Sequence, residues 1–306
     1  MNVIDKSFAE LVQEIGSLGE KELYHRIRSA FDKVPAETRR SCQDFFNRFG
    51  FWGRLEPDKG VFEQIELKEL ALFEHLDEYA WLYGRLSDYR SKKTLYAILS
   101  NWYRYDFVST AQAKEYMFDD YFDLDVVRCT PDEVVVDLGA YTGDTVRSYI
   151  RNYGEDCYRK IICYEVTPAS FEALERGLAG VRDLDLRQKG VADAPGRMAL
   201  ETNAYASSNR LDEGPGEVEV TSLDEDIDEP VTLIKADIEG FEYRALLGAR
   251  RHIINEHPKL LISVYHGNDD LWRIPRLIDE YSRDYKFHLR YRSSPIYPTE
   301  ISLLAT

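Results

Sequence analysis

Three carboxylates and one histidine follow apolar stretches of the sequence, where a strand would deliver them to a ligand. Asp137 ends the run VVVD, Glu165 follows IICY, and Asp237 follows TLIKA. Carboxylates at the carboxyl ends of strands can hold a cationic or hydroxyl-bearing group above the edge of a sheet. His266 follows ISVY, and because histidine titrates near neutral pH, it is the best single candidate for a general base. These residues predict a ligand site with acid–base chemistry.

A glycine turn directly follows Asp137, in the segment VVVDLGAYTGDT at residues 134–145. The three valines predict a buried strand, and Gly139 and Gly143 bracket a turn that leads into a helix. The spacing is G-x-x-x-G, whereas a dinucleotide fold needs G-x-G-x-x-G to seat a pyrophosphate. We therefore expect a nucleotide-shaped cofactor without a pyrophosphate, such as S-adenosylmethionine, whose sulfonium and amino acid tail suit an acidic turn.

The next two predicted strand ends carry further candidates for binding this ligand. Glu165 is placed to hold a ribose diol, as the acidic residue of dinucleotide folds does, although an exposed Glu at a strand end is an alternative. Asp193, in the segment KGVAD, could accept a hydrogen bond from an adenine amino group. The sequence Asp-Ala-Pro-Gly is equally typical of a plain turn. Both interpretations of Asp193 stay open.

The segment IKADIEGFE is the densest acidic cluster of the chain. Glu239 and Glu242 precede a predicted helix, where the helix dipole favours carboxylates. Asp237 has no such explanation, and it could position a substrate hydroxyl, accept its proton or bind a cation. Asp237 with Asp269 or Asp270 offers oxygen ligands of the kind that magnesium prefers, but the sequence leaves the metal open. A structural histidine is the alternative for His266, as it is for the other five histidines.

Alternating strands and helices in residues 119–306 predict an α/β fold: a Rossmann-like, mostly parallel sheet with an antiparallel edge strand. The expected strands are 134–138, 161–165, 184–190, 232–237 and 260–265, with closing strands at 286–291 and 301–305. The expected helices are 145–152, 169–178, 241–254 and 271–281. The polar segment 201–219 is predicted to be a long loop that covers the substrate.

Residues 1–118 are predicted to form a helical region that caps the sheet or mediates dimerisation. One apolar stripe contains Leu95, Ile98, Leu99 and Trp102, and a second contains Leu67, Leu70, Phe73 and Leu76. Both have the spacing of a helix face, and such faces usually pack against other elements. We therefore expect a boundary near Asp119.

The composition excludes several classes of protein. The formal net charge of −16 disfavours a nucleic-acid surface, which needs clustered Lys and Arg. The four cysteines form no C-x-x-C pair and no zinc spacing with histidine, so reduced thiols are expected. The sequence begins without a basic and apolar leader and contains no apolar run of about 20 residues, so we expect a cytoplasmic protein without membrane insertion.

Four segments together resemble the FkbM family of S-adenosylmethionine-dependent methyltransferases: VDLGAYTGDT, CYEVTPASFEAL, IKADIEGFEYRALLGA and VYHGNDDLWRIPRLI. The resemblance covers roughly the last 190 residues, and IKADIEGFE is its most specific part. It implies a Rossmann-like sheet and methyl transfer to a hydroxyl, in a family associated with glycans and secondary metabolites.

Carried over to this sequence, the resemblance implies three groups of cofactor-binding residues. Those around the methionine part are Asp137, Gly139, Ala140, Tyr141, Gly143, Asp144 and Thr145. Glu165 would hold the ribose, and the segment Val191, Ala192 and Asp193 would hold the adenine. His266 and Asp237 are the catalytic candidates.

The sequence therefore predicts an O-methyltransferase that acts on a hydroxyl of a small molecule or glycan. One alternative is a catalytically silent cofactor-binding or assembly partner in a biosynthetic complex, with the aromatic-rich N-terminal region as its docking surface. A nicotinamide-dependent dehydrogenase is a weaker alternative, because the third glycine of the dinucleotide motif is missing.

Overall fold

The computed structural model describes residues 2–119, 121–203, 209–212 and 214–306, and the chain forms two compact units. The first unit contains Met1–Tyr116, Val264–Pro275 and Lys286–Ser302, and the second contains Met117–Ser263, Arg276–Tyr285 and Leu303–Thr306. The chain first passes from one unit to the other after Tyr116, close to the predicted boundary near Asp119. Two later segments, Val264–Pro275 and Lys286–Ser302, return to the first unit. No local sequence pattern predicts this return.

The helices of the chain begin with a run of seven in the first unit. Apolar residues three or four positions apart form the buried faces of these helices. The side chains of Asn2, Asp88 and Asp106 cap the starts of α1, α6 and α7. The bounds are α1 Val3–Gly16, α2 Glu20–Lys33, α3 Ala36–Phe49, α4 Glu63–Glu74, α5 Leu76–Arg85, α6 Tyr89–Arg104, α7 Phe107–Ala113, α8 Asp144–Tyr153, α9 Pro168–Gly177, α10 Leu223–Asp226, α11 Glu242–Leu247, α12 Arg250–Glu256 and α13 Asp270–Tyr281.

The two predicted apolar stripes have different outcomes. The stripe of α6 is buried as predicted, with Leu95, Ile98 and Leu99 inaccessible to solvent. The prediction for α4 is wrong, because Leu67, Leu70 and Phe73 are exposed. A period of 3.6 residues identifies a face, but it does not determine which of two adjacent faces the neighbouring helices cover.

The strands form one larger and one smaller sheet. Their bounds are β1 Val134–Leu138, β2 Lys160–Tyr164, β3 Leu184–Arg187, β4 Gly190–Val191, β5 Gly196–Glu201, β6 Arg210–Asp212, β7 Val218–Thr221, β8 Leu233–Ala236, β9 Lys259–Ser263, β10 Phe287–Tyr291 and β11 Ile301–Ala305. The larger sheet has the order β10-β11-β9-β8-β1-β2-β3, and the smaller has the order β4-β7-β5-β6. The predicted closing strands are thus neighbours at one edge of the larger sheet.

The centre of the larger sheet is parallel and buried. Strand β1 pairs in parallel with β2 on one side, Val136 opposite Ile162, and with β8 on the other, Val136 opposite Ile234. The chain moves outward from β1 through β2 and β3 and then returns to β8, so the order of strands reverses beside β1. Open α/β sheets bind ligands at such a reversal, outside the carboxyl ends of the strands.

Three predicted elements differ from the structure. The strand expected at 184–190 is two strands, β3 and β4, which belong to different sheets. The helix expected at 241–254 is divided at Gly248 into α11 and α12. The loop expected at 201–219 includes β6 and the start of β7, while residues 204–208 and 213 lie outside the described residues. Among the described residues, no helix is long and apolar enough to cross a membrane.

Candidate functional site

The glycine turn after β1 has a conformation that side chains cannot adopt without strain. Gly139 has φ +75°, and a Cβ built on it would lie 2.0 Å from the carbonyl oxygen of Asp237. Gly143 has φ +81°, and a Cβ there would lie 2.6 Å from Cγ of Leu178. The amides of Gly139 and Ala140 both donate to the carbonyl of Tyr164 at 3.0 Å, which joins the turn to β2. Glycine is therefore required at these two positions, because a side chain would overlap a neighbouring atom and would also strain a backbone with positive φ.

Asp137 is held inside the protein by a lysine that the sequence analysis did not identify. Its carboxylate is 1% exposed and lies 3.0 Å from Nζ of Lys235, on the neighbouring strand β8. The same ammonium donates to the carbonyls of Leu138 and Gly139, at 3.3 and 3.0 Å. Burial lowers the pKa of Lys235, but Asp137 and Asp237 oppose this and leave its pKa above the usual value. A lysine inside the apolar strand LIKA was the available signal for this ion pair.

Glu165 follows the last residue of β2 and supports the glycine turn. Its Oε2 accepts a 3.0 Å hydrogen bond from the amide of Tyr141, and its Oε1 accepts a 2.7 Å bond from the amide of Thr167. Burial raises the pKa of Glu165, and these two amides act in the opposite direction. Each oxygen keeps a second lone pair, so the carboxylate can brace the turn and still accept from a ligand hydroxyl.

These residues surround a cavity of about 570 Å³ of empty volume, part of it open to solvent, outside the carboxyl ends of β1 and β8. Of the predicted site residues, the walls include Gly139, Tyr141, Glu165, Val191 and Asp237. Lys189, Asn209 and Arg210 add polar groups that the sequence analysis had not assigned.

Asp237 follows β8 directly and is bound by a tyrosine from the segment that precedes β1. Tyr121 donates from its hydroxyl to Oδ2 of Asp237 at 2.8 Å, and the same hydroxyl lies 3.0 Å from Oγ of Ser263. The amide of Asp237 donates to the carbonyl of Leu138 at 3.1 Å, beside the reversal of strand order. The sequence analysis missed Tyr121, which belongs to no motif.

The remaining predicted cofactor residues have structural contacts of their own. Asp193 forms an ion pair with Arg244 at 2.5 Å, and Ala192 donates its amide to Thr221. Asp144 and Thr145 form the first turn of α8. Among the residues that the structure describes around the cavity, these four do not form its walls. Their assignment to the cofactor stays a prediction.

His266 lies in the first unit, three residues beyond the end of β9, and is 4% exposed. Its ring centroid is 4.2 Å from that of Tyr265 and 5.3 Å from that of Phe51. Nearby in the chain, Asp270 accepts from the amide of Gly267 at 2.7 Å and from Nε of Arg273 at 2.8 Å. The magnesium hypothesis for Asp237 with Asp269 or Asp270 also stays a prediction.

Comparisons with known proteins agree with this geometry. The family model of the methyltransferase FkbM domain matches residues 137–289, which is half of the 306 residues. A crystal structure of methyltransferase FkbM from Methylobacillus flagellatus KT is similar, with TM-score 0.68 and 24% identity; the match covers 81% of this chain and 64% of that chain. The chain thus spans less than two thirds of the length of that relative. No curated protein matches the sequence.

Further solved structures are similar at a lower level. A rRNA methylase from Streptococcus thermophilus has TM-score 0.39 and 15% identity, covering 58% of this chain and 87% of that chain. A ribosomal protein L11 methylase from Lactobacillus delbrueckii subsp. bulgaricus has TM-score 0.37 and 17% identity, covering 66% and 78%. The family match confirms the predicted resemblance to the FkbM methyltransferase family, and the Methylobacillus structure confirms the predicted fold.

Proposed function

The chain belongs to the FkbM methyltransferase family, and from this premise we propose that it transfers a methyl group from S-adenosylmethionine to a hydroxyl of a small molecule or glycan. The observation that carries the proposal is the position of Asp237. It is a carboxylate in the wall of the same cavity that the glycine turn and Glu165 line. The cavity thus combines features for a nucleoside ligand with a group that can accept a proton.

The residues of the cavity fit the cofactor chemically. The glycine turn packs closely against the carbonyl of Asp237 in the same cavity wall, because Gly139 has no side chain there. Glu165 would hold the ribose, since its carboxylate lines the cavity and can accept from hydroxyl groups. Of the residues assigned to the adenine, Val191 lies in the wall, next to Gly190 and Lys189. Asp137 supports the turn indirectly: it pairs with Lys235, which donates a hydrogen bond to the carbonyl of Gly139.

S-adenosylmethionine, when bound, supplies an electrophilic methyl group. The acceptor hydroxyl has to lose its proton as its oxygen forms the new bond to carbon, and Asp237 would take that proton. Tyr121 orients Asp237 by donating to its Oδ2. His266, at the loop beyond β9, is the second candidate for this role.

Label transfer from S-adenosylmethionine carrying a radioactive methyl group tests the proposal, with panels of sugars, glycans and hydroxylated metabolites as acceptors. We expect the label in an ether-linked methyl group. General-base help is typically worth about 10²- to 10⁴-fold, so Asp237→Asn should lower kcat within that range, with cofactor affinity nearly unchanged. His266→Gln is the parallel variant, and full turnover in both would contradict the assigned catalytic groups.

Calorimetric titration with S-adenosylhomocysteine tests cofactor binding separately. Glu165→Ala should weaken binding by about 1 to 3 kcal/mol, the usual result of removing a charged hydrogen-bond partner. Arg182→Ala is a control, because Arg182 bonds the carbonyls of Glu155 and Tyr158 and lies outside the cavity walls. Cofactor binding without label transfer to any acceptor would instead favour a cofactor-binding partner of a biosynthetic complex.

A further inference from the structure

Helix α4 of the first unit buries a lysine and leaves apolar residues at its surface. Lys68 is 3% exposed, whereas Leu70, half a turn further along the same helix, is 45% exposed. Gln64, one turn before Lys68, is also buried, and its Oε1 has no hydrogen-bond partner. Burying a cation and an amide in preference to leucine lowers stability unless hydrogen bonds or an ion pair compensate.

The ammonium group of Lys68 is surrounded by neutral groups. It lies 4.6 Å from the ring centroid of Tyr105 and 5.5 Å from that of Phe46. Within the described part of the chain, no carboxylate pairs with it and no acceptor bonds it. The chain has 55 acidic residues, yet none of the described ones forms an ion pair with Lys68. Burial lowers the pKa of Lys68 to about 8, which leaves it mostly charged at neutral pH.

Lys68 and Gln64 line a cavity that has a larger neighbour. The inner cavity has about 340 Å³ of empty volume, with Phe46, Trp52 and Trp102 also in its walls. The outer cavity has about 720 Å³, part of it open to solvent, and its walls include Phe51, His75 and the charged residues Glu74, Asp269 and Arg273. Trp52, Gly267 and Asn268 belong to both. The two cavities therefore lie side by side, with Lys68 in the wall of the inner one.

The geometry points to a binding site in the first unit for a small ring-containing oxyanion, such as an anionic sugar. Its carboxylate or phosphate group would pair with the ammonium of Lys68, and its ring would lie in the outer cavity beside Trp52. The indole of Trp52 is fixed by its 2.7 Å hydrogen bond to the carbonyl of Tyr265, so the aromatic wall is formed before a ligand binds. The proposed binding site does not depend on the proposed methyl transfer or on the identity of the methylated acceptor.

Thermal unfolding and calorimetric titration of the full chain, without S-adenosylmethionine, test the site. The probes are glucuronate, glucose 6-phosphate and, as the neutral analogue, glucose. We expect one or both anions to raise the unfolding midpoint and to bind at least tenfold more tightly than glucose. A response to glucuronate alone identifies a carboxylate ligand, and a response to glucose 6-phosphate alone identifies a phosphate ligand.

Lys68→Met separates a binding role from a structural one. Methionine keeps most of the length of the side chain and removes the charge, so the ligand-free variant should unfold at a higher temperature and lose its response to the anions. Lys92→Met is the matched control: Lys92 also lies near an aromatic ring, that of Tyr83 at 5.1 Å, but it has Asp5 at 3.9 Å. This control should keep the response.

Three results would overturn the inference. One is the absence of any midpoint shift with both anions in the unmodified chain. Another is anion binding that survives in Lys68→Met, which would place the anion elsewhere. A lower midpoint of ligand-free Lys68→Met would also contradict it, because the lysine would then stabilise the fold itself.

Discussion

The hydroxyl of Tyr121 donates a 2.8 Å hydrogen bond to Oδ2 of Asp237. Tyr121 is buried, and its second contact, with Oγ of Ser263 at 3.0 Å, fixes the position of the phenol at the end of β9. A carboxylate that has to accept a proton from a substrate works best when its rotamer is held before the substrate arrives. The structure thus assigns Tyr121 a positioning role for Asp237.

Tyr121→Phe removes this hydrogen bond and keeps the ring. We expect kcat to fall by about tenfold, because Asp237 can then rotate away, while the affinity for S-adenosylhomocysteine stays within about twofold; one hydrogen bond is worth about 1 kcal/mol net. Steady-state kinetics with the acceptor found by label transfer measure the first quantity, and calorimetry measures the second. An unchanged kcat would show that Tyr121 only packs.

Tyr153→Phe is a suitable control for this variant. Its hydroxyl also donates to a partner in the same unit, the carbonyl of Val127 at 3.0 Å. It lines no described cavity, so its loss should lower stability slightly and leave kcat unchanged.

Removing the charge of Lys235 should strongly destabilise the chain. Lys235→Met leaves the carboxylate of Asp137 buried without its 3.0 Å partner. Breaking a buried ion pair from one side typically costs about 3–5 kcal/mol, whereas replacing both partners by apolar groups is often neutral. The double variant Asp137→Leu/Lys235→Met should therefore recover most of the lost free energy of unfolding.

Urea unfolding of the three chains measures this coupling. Equal destabilisation in the single and double variants would mean that the loss arises from packing, not from the unpaired carboxylate. Both variants should bind S-adenosylhomocysteine weakly, since Lys235 also bonds the carbonyl of Gly139 in the turn.

Gly139 and Gly154 offer a matched pair for testing the glycine turn. Both have positive φ, +75° and +99°, but a Cβ on Gly154 meets no atom within 4 Å, whereas one on Gly139 would overlap the carbonyl of Asp237. Gly154→Ala should lose about 1–3 kcal/mol, because φ +99° with ψ 159° is a backbone conformation that almost only glycine adopts. Gly139→Ala should lose more and should also abolish cofactor binding, as calorimetry can show. Similar affinities in the two variants would contradict the required close approach.

Local sequence patterns predicted those parts of the site whose residues lie in one continuous segment of the chain. Three valines and two glycines identify β1 and its turn, because burial and positive φ are properties of those residues themselves. Lys235 and Tyr121 were not predicted as site residues, since their roles arise from pairing across strands and across 116 positions of sequence. The prediction of the buried face of α4 was wrong for a related reason. Which face a helix buries depends on neighbouring elements that its own sequence does not specify.

The buried ammonium of Lys68 predicts a rise in stability with pH. Its pKa in the folded chain is about 8, against the usual 10.5, so between these values the unfolded chain holds a proton that the folded chain has released. Unfolding then takes up protons, and the free energy of unfolding increases with pH across this window. Relative to Lys68→Met, the unmodified chain should gain about 2 kcal/mol between pH 7 and pH 9.5, at about 1.4 kcal/mol per pKa unit.

Urea unfolding of both chains across this range, in a buffer without oxyanion ligands, measures the difference and cancels the titrations that they share. The titratable groups that face Lys68 stay neutral there, because burial raises the pKa of Cys42 to about 11 and raises that of Tyr105 well above its usual value. Glucuronate or glucose 6-phosphate, whichever binds, should flatten the rise, since an anion beside the ammonium raises the pKa of Lys68 in the folded chain. A flat difference without ligand would mean that Lys68 already has a charged partner in the folded chain.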